Sequence, residues 1–254
     1  MTKFLFMSDI HLNHCSKPEQ RNFFERLSKF KGKDVIIAGD ISDGVDSLAQ
    51  LDSIKKCFAN ARVNYVLGNH DFWKMPSMEE CRKMHADSMN MKGPRFLPEN
   101  IWLMGMDGFY DCPFDRDNPY DSHDTHFIKD ISNKKFEETK EAIRKQAKHY
   151  VDLFKCHLDA LPEDSSPLLL VTHVPPFKVP SNCRDRPDSV SGMYVCQSLG
   201  KLLNTLDRKI VVLCGHTHES CDIIMGYVRQ ISFAAEYGYP EARILHINEL
   251  FDFE

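Results

Sequence analysis

The chain has 254 residues, of which 42% are hydrophobic and 27% are charged, and these values are ordinary for a globular protein with one core. Its formal net charge of −5 argues against general binding to nucleic acid, and no apolar run reaches the roughly 18 residues of a membrane span. Nine cysteines at irregular spacing favour reduced thiols, and the N-terminal apolar run is too short for a signal peptide, so we expect a cytoplasmic protein without membrane attachment.

The first 70 residues show a regular alternation of predicted strands and helices. Short apolar runs at 3–8, 34–39 and 63–68 are typical of buried strands. Helices are predicted between them, over residues 18–31 and 45–58, from apolar residues at helical spacing. This alternation predicts a parallel sheet with right-handed crossover connections.

The pattern changes after the predicted helix at 78–89, because the strands that follow it no longer alternate regularly with helices. A polar, acidic segment at 108–130 precedes a long predicted helix, and we expect residues 108–162 to form an insertion or lid-like segment within one domain spanning 1–254. The remaining predicted elements are helices at 78–89, 133–161 and 191–206, strands at 95–98, 101–106, 168–172 and 210–215, and antiparallel strands within 223–247. The expected fold class is α/β, a four-layer α-β-β-α sandwich of two mixed sheets flanked by helices.

Five of the apolar runs end in residues that can bind metals. In open α/β sheets, functional residues collect at the carboxyl ends of the strands. Carboxylate, imidazole and amide ligands without thiolates suit divalent ions, so we expect Mn²⁺, with Fe, Zn or Mg as alternatives. Seven ligands are too many for one centre, whereas two ions about 3.5–4 Å apart that share one carboxylate would use them all. The candidate ligands are Asp9, His11, Asp40, Asn69, His173, His216 and His218.

Each strand ending has an ordinary explanation when it is taken alone. An isolated Asp at a strand end is usually a helix cap or a turn residue, and a single His is usually an ordinary polar residue. If all five endings were ordinary, their occurrence together in one chain would require five coincidences, and a shared metal site is the simpler interpretation.

These motifs, in this order, resemble those of the calcineurin-like metallophosphoesterases over residues 4 to about 220. The motifs that carry the resemblance are Asp9-Ile-His11, Gly39-Asp40-Ile-Ser-Asp43, Gly68-Asn-His-Asp71, Thr172-His173 and Gly215-His-Thr-His218. The resemblance implies one metal held by Asp9, His11 and His218, a second held by Asn69, His173 and His216, and Asp40 as the bridge between them. It also implies a phosphoesterase in which a metal-bridging hydroxide attacks phosphorus, with His70 as the general acid and Asp43 orienting it. Asp71 is expected to support the loop that the Gly68–Asp71 motif forms.

The five motifs concern the reaction, and the substrate class is inferred from other residues. Gly44 and Asp71 stand where protein Ser/Thr phosphatases carry Arg and Glu, so membership in that branch is not expected. The chain has little room for the capping domain of DNA-repair exonucleases. We therefore expect a small-molecule or nucleotide phosphate ester, either a mono- or a diester. The alternatives are a nuclease and a catalytically silent interaction scaffold with this fold. No oligomeric state is predicted.

Two loops are expected to select the substrate. Arg184 and Arg186 lie in the predicted loop after His173 and could bind a phosphate group, and Tyr110 and His14 are further candidates for substrate contact. An ordinary loop histidine is an equally good interpretation of His14. The aspartates between residues 111 and 124 could bind a third ion, although a solvated loop is the simpler interpretation.

Overall fold

The computed structural model describes residues 2–253 except 59, 115–116, 163–165 and 181–187, and it describes residues 188–190 by their backbone alone. The strands are β1 Lys3–Met7, β2 Asp34–Ala38, β3 Arg62–Val66, β4 Arg95–Leu97, β5 Ile101–Met106, β6 Leu168–Thr172, β7 Ile210–Leu213, β8 Cys221–Met225, β9 Val228–Ser232 and β10 Arg243–His246. The helices are α1 Lys17–Ser28, α2 Val45–Lys55, α3 Met78–Met84, α4 Met89–Lys92, α5 Asp124–Phe127, α6 Phe136–Asp159, α7 Gln197–Leu203 and α8 Ile247–Leu250. Short 3₁₀ turns cover Leu12–His14, His70–Phe72, Pro119–Asp121 and Asp188–Tyr194.

The strands form two mixed sheets, as the sequence predicts. The four-stranded sheet has the order β10-β1-β2-β3, in which β1, β2 and β3 are parallel and β10 is antiparallel. The six-stranded sheet has the order β4-β5-β6-β7-β9-β8, with β4 and β8 antiparallel at its edges. The prediction of antiparallel strands within 223–247 is right for the β8–β9 pair and for β10, which pairs antiparallel with β1, but it misses the parallel pairing of β9 with β7.

Side chains alternate between two apolar layers along the central strands. Phe4 and Phe6 of β1 share a buried cluster with Leu169 and Val171 of β6, and this cluster fills the space between the two sheets. The intervening residues of β1, Leu5 and Met7, belong instead to the cluster that includes the helices. A strand that is buried on both faces shows a continuous apolar run, which is why these strands are readily recognised in the sequence.

The long helix agrees with its prediction, whereas two of the shorter ones do not. In α6, Ile143, Ala147, Tyr150 and Phe154 form the buried stripe. The helix predicted at 78–89 is two helices, because α3 ends at Met84 and α4 begins after Ser88. The helix predicted at 191–206 is a 3₁₀ turn followed by α7, and the backbone at Cys196 is not helical. None of the helices among the described residues has both the length and the apolar character needed to cross a lipid bilayer.

Candidate metal centre

The seven candidate ligands lie on the loops that follow five parallel strands. Asp9 and His11 follow β1, Asp40 follows β2 and Asn69 follows β3. The ligands from the six-stranded sheet are His173, after β6, and His216 and His218, after β7. The carboxyl ends of these strands meet at one edge of the two sheets, so the loops converge on one point.

Five of these seven residues have a left-handed backbone conformation that non-glycine residues rarely adopt. Their φ angles are 51° at Asp9, 38° at His11, 52° at Asp40, 69° at His216 and 56° at His218. Such conformations cost about 1–3 kcal/mol each and collect at functional sites, where the surrounding structure enforces them. Five of the nine non-glycine residues with positive φ among the described residues are therefore candidate ligands from the sequence motifs.

One group of donor atoms is formed by His11, His218, Asp9 and Asp40. The Nε2 atoms of His11 and His218 are 3.2 Å apart. His218 Nε2 lies 3.5 Å from Asp9 Oδ1, and His11 Nε2 lies 3.6 Å from Asp40 Oδ2. Asp9 Oδ2 is buried and has no hydrogen-bond partner. An unpaired carboxylate oxygen among imidazoles is what a cation site requires.

A second group adjoins the first through Asp40. Asn69 Oδ1 lies 3.0 Å from His173 Nε2 and 2.8 Å from His216 Nδ1. His173 Nε2 is 3.4 Å from Asp40 Oδ2, the same oxygen that faces His11 in the first group. Asp40 is thus a carboxylate that both groups share.

These separations fit ligands of common metal ions. Ligands bound at about 2.1 Å to one octahedral ion lie about 3 Å from their neighbours. The distances between the donor atoms, from 2.8 to 3.6 Å, are close to that value. The donors are oxygen and imidazole nitrogen, which suit borderline and hard divalent ions.

Backbone carbonyl groups orient two of the imidazoles. His173 Nδ1 is 2.8 Å from the carbonyl oxygen of Ala38, and His216 Nε2 is 2.7 Å from that of Met193. In both rings the nitrogen that donates to the carbonyl is the one that points away from the centre. In the neutral form of each ring, the other nitrogen therefore keeps its lone pair for a cation.

Burial and charge set the protonation of these ligands. Burial lowers the pKa of His11 to about 3 and that of His216 to about 4, so both rings are neutral, as a metal ligand must be. Burial also acts to lower the pKa of His173, but the Asp40 carboxylate outweighs it and raises this pKa to about 10. The region around Asp40 therefore attracts positive charge strongly.

His70 lies beside the two groups of donor atoms and is held by Asp43. Its Nδ1 donates to Asp43 Oδ1 at 3.0 Å, and its carbonyl accepts from the N–H of Gly44 at 3.0 Å. The indole ring of Trp73 stacks on the imidazole with centroids 3.6 Å apart. Burial lowers the pKa of His70, but the Asp40 charge and the bond to Asp43 outweigh it and raise the pKa above its ordinary value.

Asp71 ties the loops after β2 and β3 together. Its carboxylate accepts from the N–H groups of Asp40 at 2.9 Å and of Gly68 at 2.8 Å, and from the hydroxyl of Ser47 at 2.5 Å. The loop at Gly68 lies so close to the Asp40 carboxylate that position 68 must be glycine. A Cβ atom there would lie 2.2 Å from Asp40 Oδ1. The contacts of Asp71 agree with the supporting role that the sequence predicts.

A cleft of about 370 Å³ opens over the donor atoms. Its lining residues include the aromatic side chains of Trp73, Tyr194 and Tyr237, together with residues 121–124. No motif in the sequence points to Tyr237, whose ring lies 4.4 Å from that of His11 and 4.9 Å from that of His218. It comes from a loop after β9 that folds back over the centre.

The interpretation of the aspartates between residues 111 and 124 as parts of a solvated loop is wrong for Asp117 and Asp124, whereas Asp121 is exposed. Asp117 and Asp124 are buried, and each accepts hydrogen bonds from the protein. Asp111 accepts from the N–H groups of Gln197 and Ser198 at the start of α7. These aspartates organise the loops around the cleft.

The four candidate substrate contacts have different positions. His14 is exposed at the rim, with its ring 4.9 Å from Tyr237. Tyr110 is fully buried and its hydroxyl donates to Asp124, so substrate contact at this ring is not supported. Arg184 and Arg186 lie outside the described residues.

Known protein families and solved structures show what this chain resembles. Residues 2–220 match the family model described as calcineurin-like phosphoesterase. A search of curated protein sequences gave no significant match. The phosphopantetheinyl hydrolase of Mycobacterium tuberculosis is a similar solved structure, with a TM-score of 0.68 and 16% identity, and the match covers 93% of this chain and 90% of that one. A dimetal phosphatase from Danio rerio has a TM-score of 0.56 and 12% identity, with 91% and 86% covered. At these identities the two structures establish the fold alone.

Proposed function

Since the chain belongs to the calcineurin-like phosphoesterase family, we propose that it hydrolyses a small phosphate ester with the help of two divalent metal ions. The observation that carries this proposal is the convergence of donor atoms in two groups that share Asp40. Asp9, His11 and His218 would hold one ion, and Asn69, His173 and His216 would hold the other. Mn²⁺ is the ion we propose, because it accepts this mixture of oxygen and imidazole ligands.

In this proposal, the metal ions activate the water, and protein side chains protonate the leaving group and orient the acid. When bound, the ions supply an activated water and take up charge on the phosphoryl oxygens. His70 faces the cleft, and it would protonate the departing oxygen of the ester. Asp43 keeps the imidazole oriented and favours its protonated form, as a general acid requires.

The size and lining of the cleft support a small substrate. A volume of about 370 Å³ is at the lower end of the range for small-molecule sites. Tyr237, which is exposed, offers an aromatic surface for a planar or apolar group next to the phosphate. We propose that residues 108–162 form an insertion that walls one side of this cleft through residues 121–124, and that His14 contacts substrate at the rim.

The backbone at Gly44 supports a separation from the protein Ser/Thr phosphatases. Its φ is 48°, and a Cβ atom at this position would lie 2.1 Å from the carbonyl oxygen of Trp73. An arginine side chain, which those enzymes carry here, could not be added without moving the loop that holds His70. Phosphoprotein recognition through that position is therefore not part of our proposal.

Metal analysis followed by a substrate panel tests the proposal. We expect the purified protein to carry two divalent ions per chain and, after chelation, to regain activity with Mn²⁺. The panel compares an aryl phosphate, an aryl phosphodiester, nucleotides and cyclic nucleotides. His70→Ala is the matched control, because it should keep both ions and lose most of the turnover.

Three results would contradict the proposal. A protein that binds no divalent metal would refute the metal centre. A metal-loaded protein that is inert on mono- and diesters would favour an interaction scaffold. Activity confined to nucleic acid would favour a nuclease.

A further inference from the structure

Asp124 is a buried carboxylate at the cleft that accepts three hydrogen bonds from neighbouring side chains. It is the first residue of α5 and is 4% exposed. Its Oδ1 accepts from Asn69 Nδ2 at 2.9 Å and from Trp73 Nε1 at 2.6 Å. Its Oδ2 accepts from the Tyr110 hydroxyl at 2.9 Å. No motif assigned Asp124 a role, and it lies 55 residues from Asn69 along the chain.

The Asn69 side chain has two faces of opposite character. Its Oδ1 accepts hydrogen bonds or binds a cation, and its Nδ2 donates and repels a cation. The two groups are nearly equal in size, so packing alone would select poorly between this orientation and one rotated by 180°. In the structure Oδ1 faces His173 and His216, and Nδ2 faces Asp124.

We propose that Asp124 is a positioning residue that fixes the Asn69 amide with its oxygen toward the second metal ion, an inference that rests on the two-metal function proposed above. A carboxylate can only accept, so it rejects the rotated amide, which would bring Asn69 Oδ1 against Asp124 Oδ1. The same oxygen anchors Trp73, the ring that stacks on His70. Asp124 thereby connects the inserted segment to both a candidate metal ligand and the proposed general acid.

Metal affinity measured without substrate tests this role. Titration calorimetry of the metal-free protein with Mn²⁺ resolves the two sites. We expect Asp124→Ala to weaken one site about 10- to 100-fold, as removal of a group that orients a ligand typically does, and to leave the other unchanged. Asp124→Asn should bind nearly as the wild type, because the Trp73 N–H keeps the new amide oxygen where it still accepts from Asn69, and the new amide nitrogen can donate to the Tyr110 oxygen.

Two further variants separate orientation from general packing. Tyr110→Phe removes a donor from Asp124 Oδ2 only, so it should leave both sites unchanged. In an Asn69→Ala background, Asp124→Ala should cause no further loss of affinity, since the effect passes through Asn69. Equal weakening of both sites, no weakening in Asp124→Ala, or additive losses in the double variant would each overturn the proposal.

Failure of the Asp124 proposal can be distinguished from failure of the proposed phosphoesterase function. If the wild type binds two Mn²⁺ ions but hydrolyses none of the esters, the phosphoesterase proposal fails, and the Asp124 proposal is still decided by the affinities. If the wild type binds fewer than two ions, both proposals fail.

Discussion

The hydrogen bond between His70 Nδ1 and Asp43 Oδ1, 3.0 Å long, can be removed without touching the metal ligands. A hydrogen bond to a charged group contributes about 1.5–3 kcal/mol, and each 1.4 kcal/mol changes a rate about tenfold. Asp43→Ala should therefore lower kcat about 10- to 100-fold. Asp43→Asn keeps a neutral acceptor of about half the strength, so a loss of about 3- to 10-fold is expected.

The pH profile identifies the cause of that loss. Activity that needs protonated His70 falls as the pH rises through the pKa of this residue. Asp43 helps to raise that pKa above its ordinary value of 6.5, and its own pKa is lowered below 3.8, so it remains charged at neutral pH. In Asp43→Asn the alkaline limb of the kcat profile should accordingly move to lower pH.

Two ester substrates complete the assay. A general acid matters more when the departing alcohol is a poor leaving group. His70→Ala should therefore impair hydrolysis of an alkyl phosphate more than that of an activated aryl phosphate, with Mn²⁺ saturating in both cases. If the alkaline limb stays in place in Asp43→Asn, or if the two esters lose activity equally in His70→Ala, the assignment of this pair is wrong.

Three further substitutions probe the centre and the cleft. Asp40→Ala removes the carboxylate that both groups of donors share, so elemental analysis should find both ions lost, and retention of two ions would argue against a bridge. Gly68→Ala places a methyl group 2.2 Å from Asp40 Oδ1, so the Mn²⁺ content and the melting temperature should both fall, whereas normal metal content would mean that the loop adjusts. Partial burial and the nearby carboxylates raise the pKa of Tyr237, so its hydroxyl stays protonated and can donate to a phosphoryl oxygen. Tyr237→Phe should then lower kcat/KM about tenfold with the metals retained, and Tyr239→Phe, an exposed residue two positions further on, should be unchanged.

Much of the fold could be predicted because its strands are short, apolar and buried on both faces. The long helix α6 was also predictable, since its buried stripe repeats at helical spacing over 24 residues. The breaks after Met84 and before Gln197 were not, because each depends on how a turn packs against the rest of the chain. The parallel pairing of β9 with β7 likewise depends on contacts between elements that are distant in sequence.

The candidate metal ligands follow from the sequence alone, because all of them lie in the loops after recognisable strands and parallel strands bring their carboxyl ends together. Three features come only from the tertiary structure. They are the strained conformations at Asp9 and Asp40, the contact of Tyr237 with His11, and the hydrogen bond from Asn69 to Asp124. The reason is physical: a ligand at a strand end is placed by local chain direction, whereas the groups that orient it come from loops whose positions are set by packing across the whole domain.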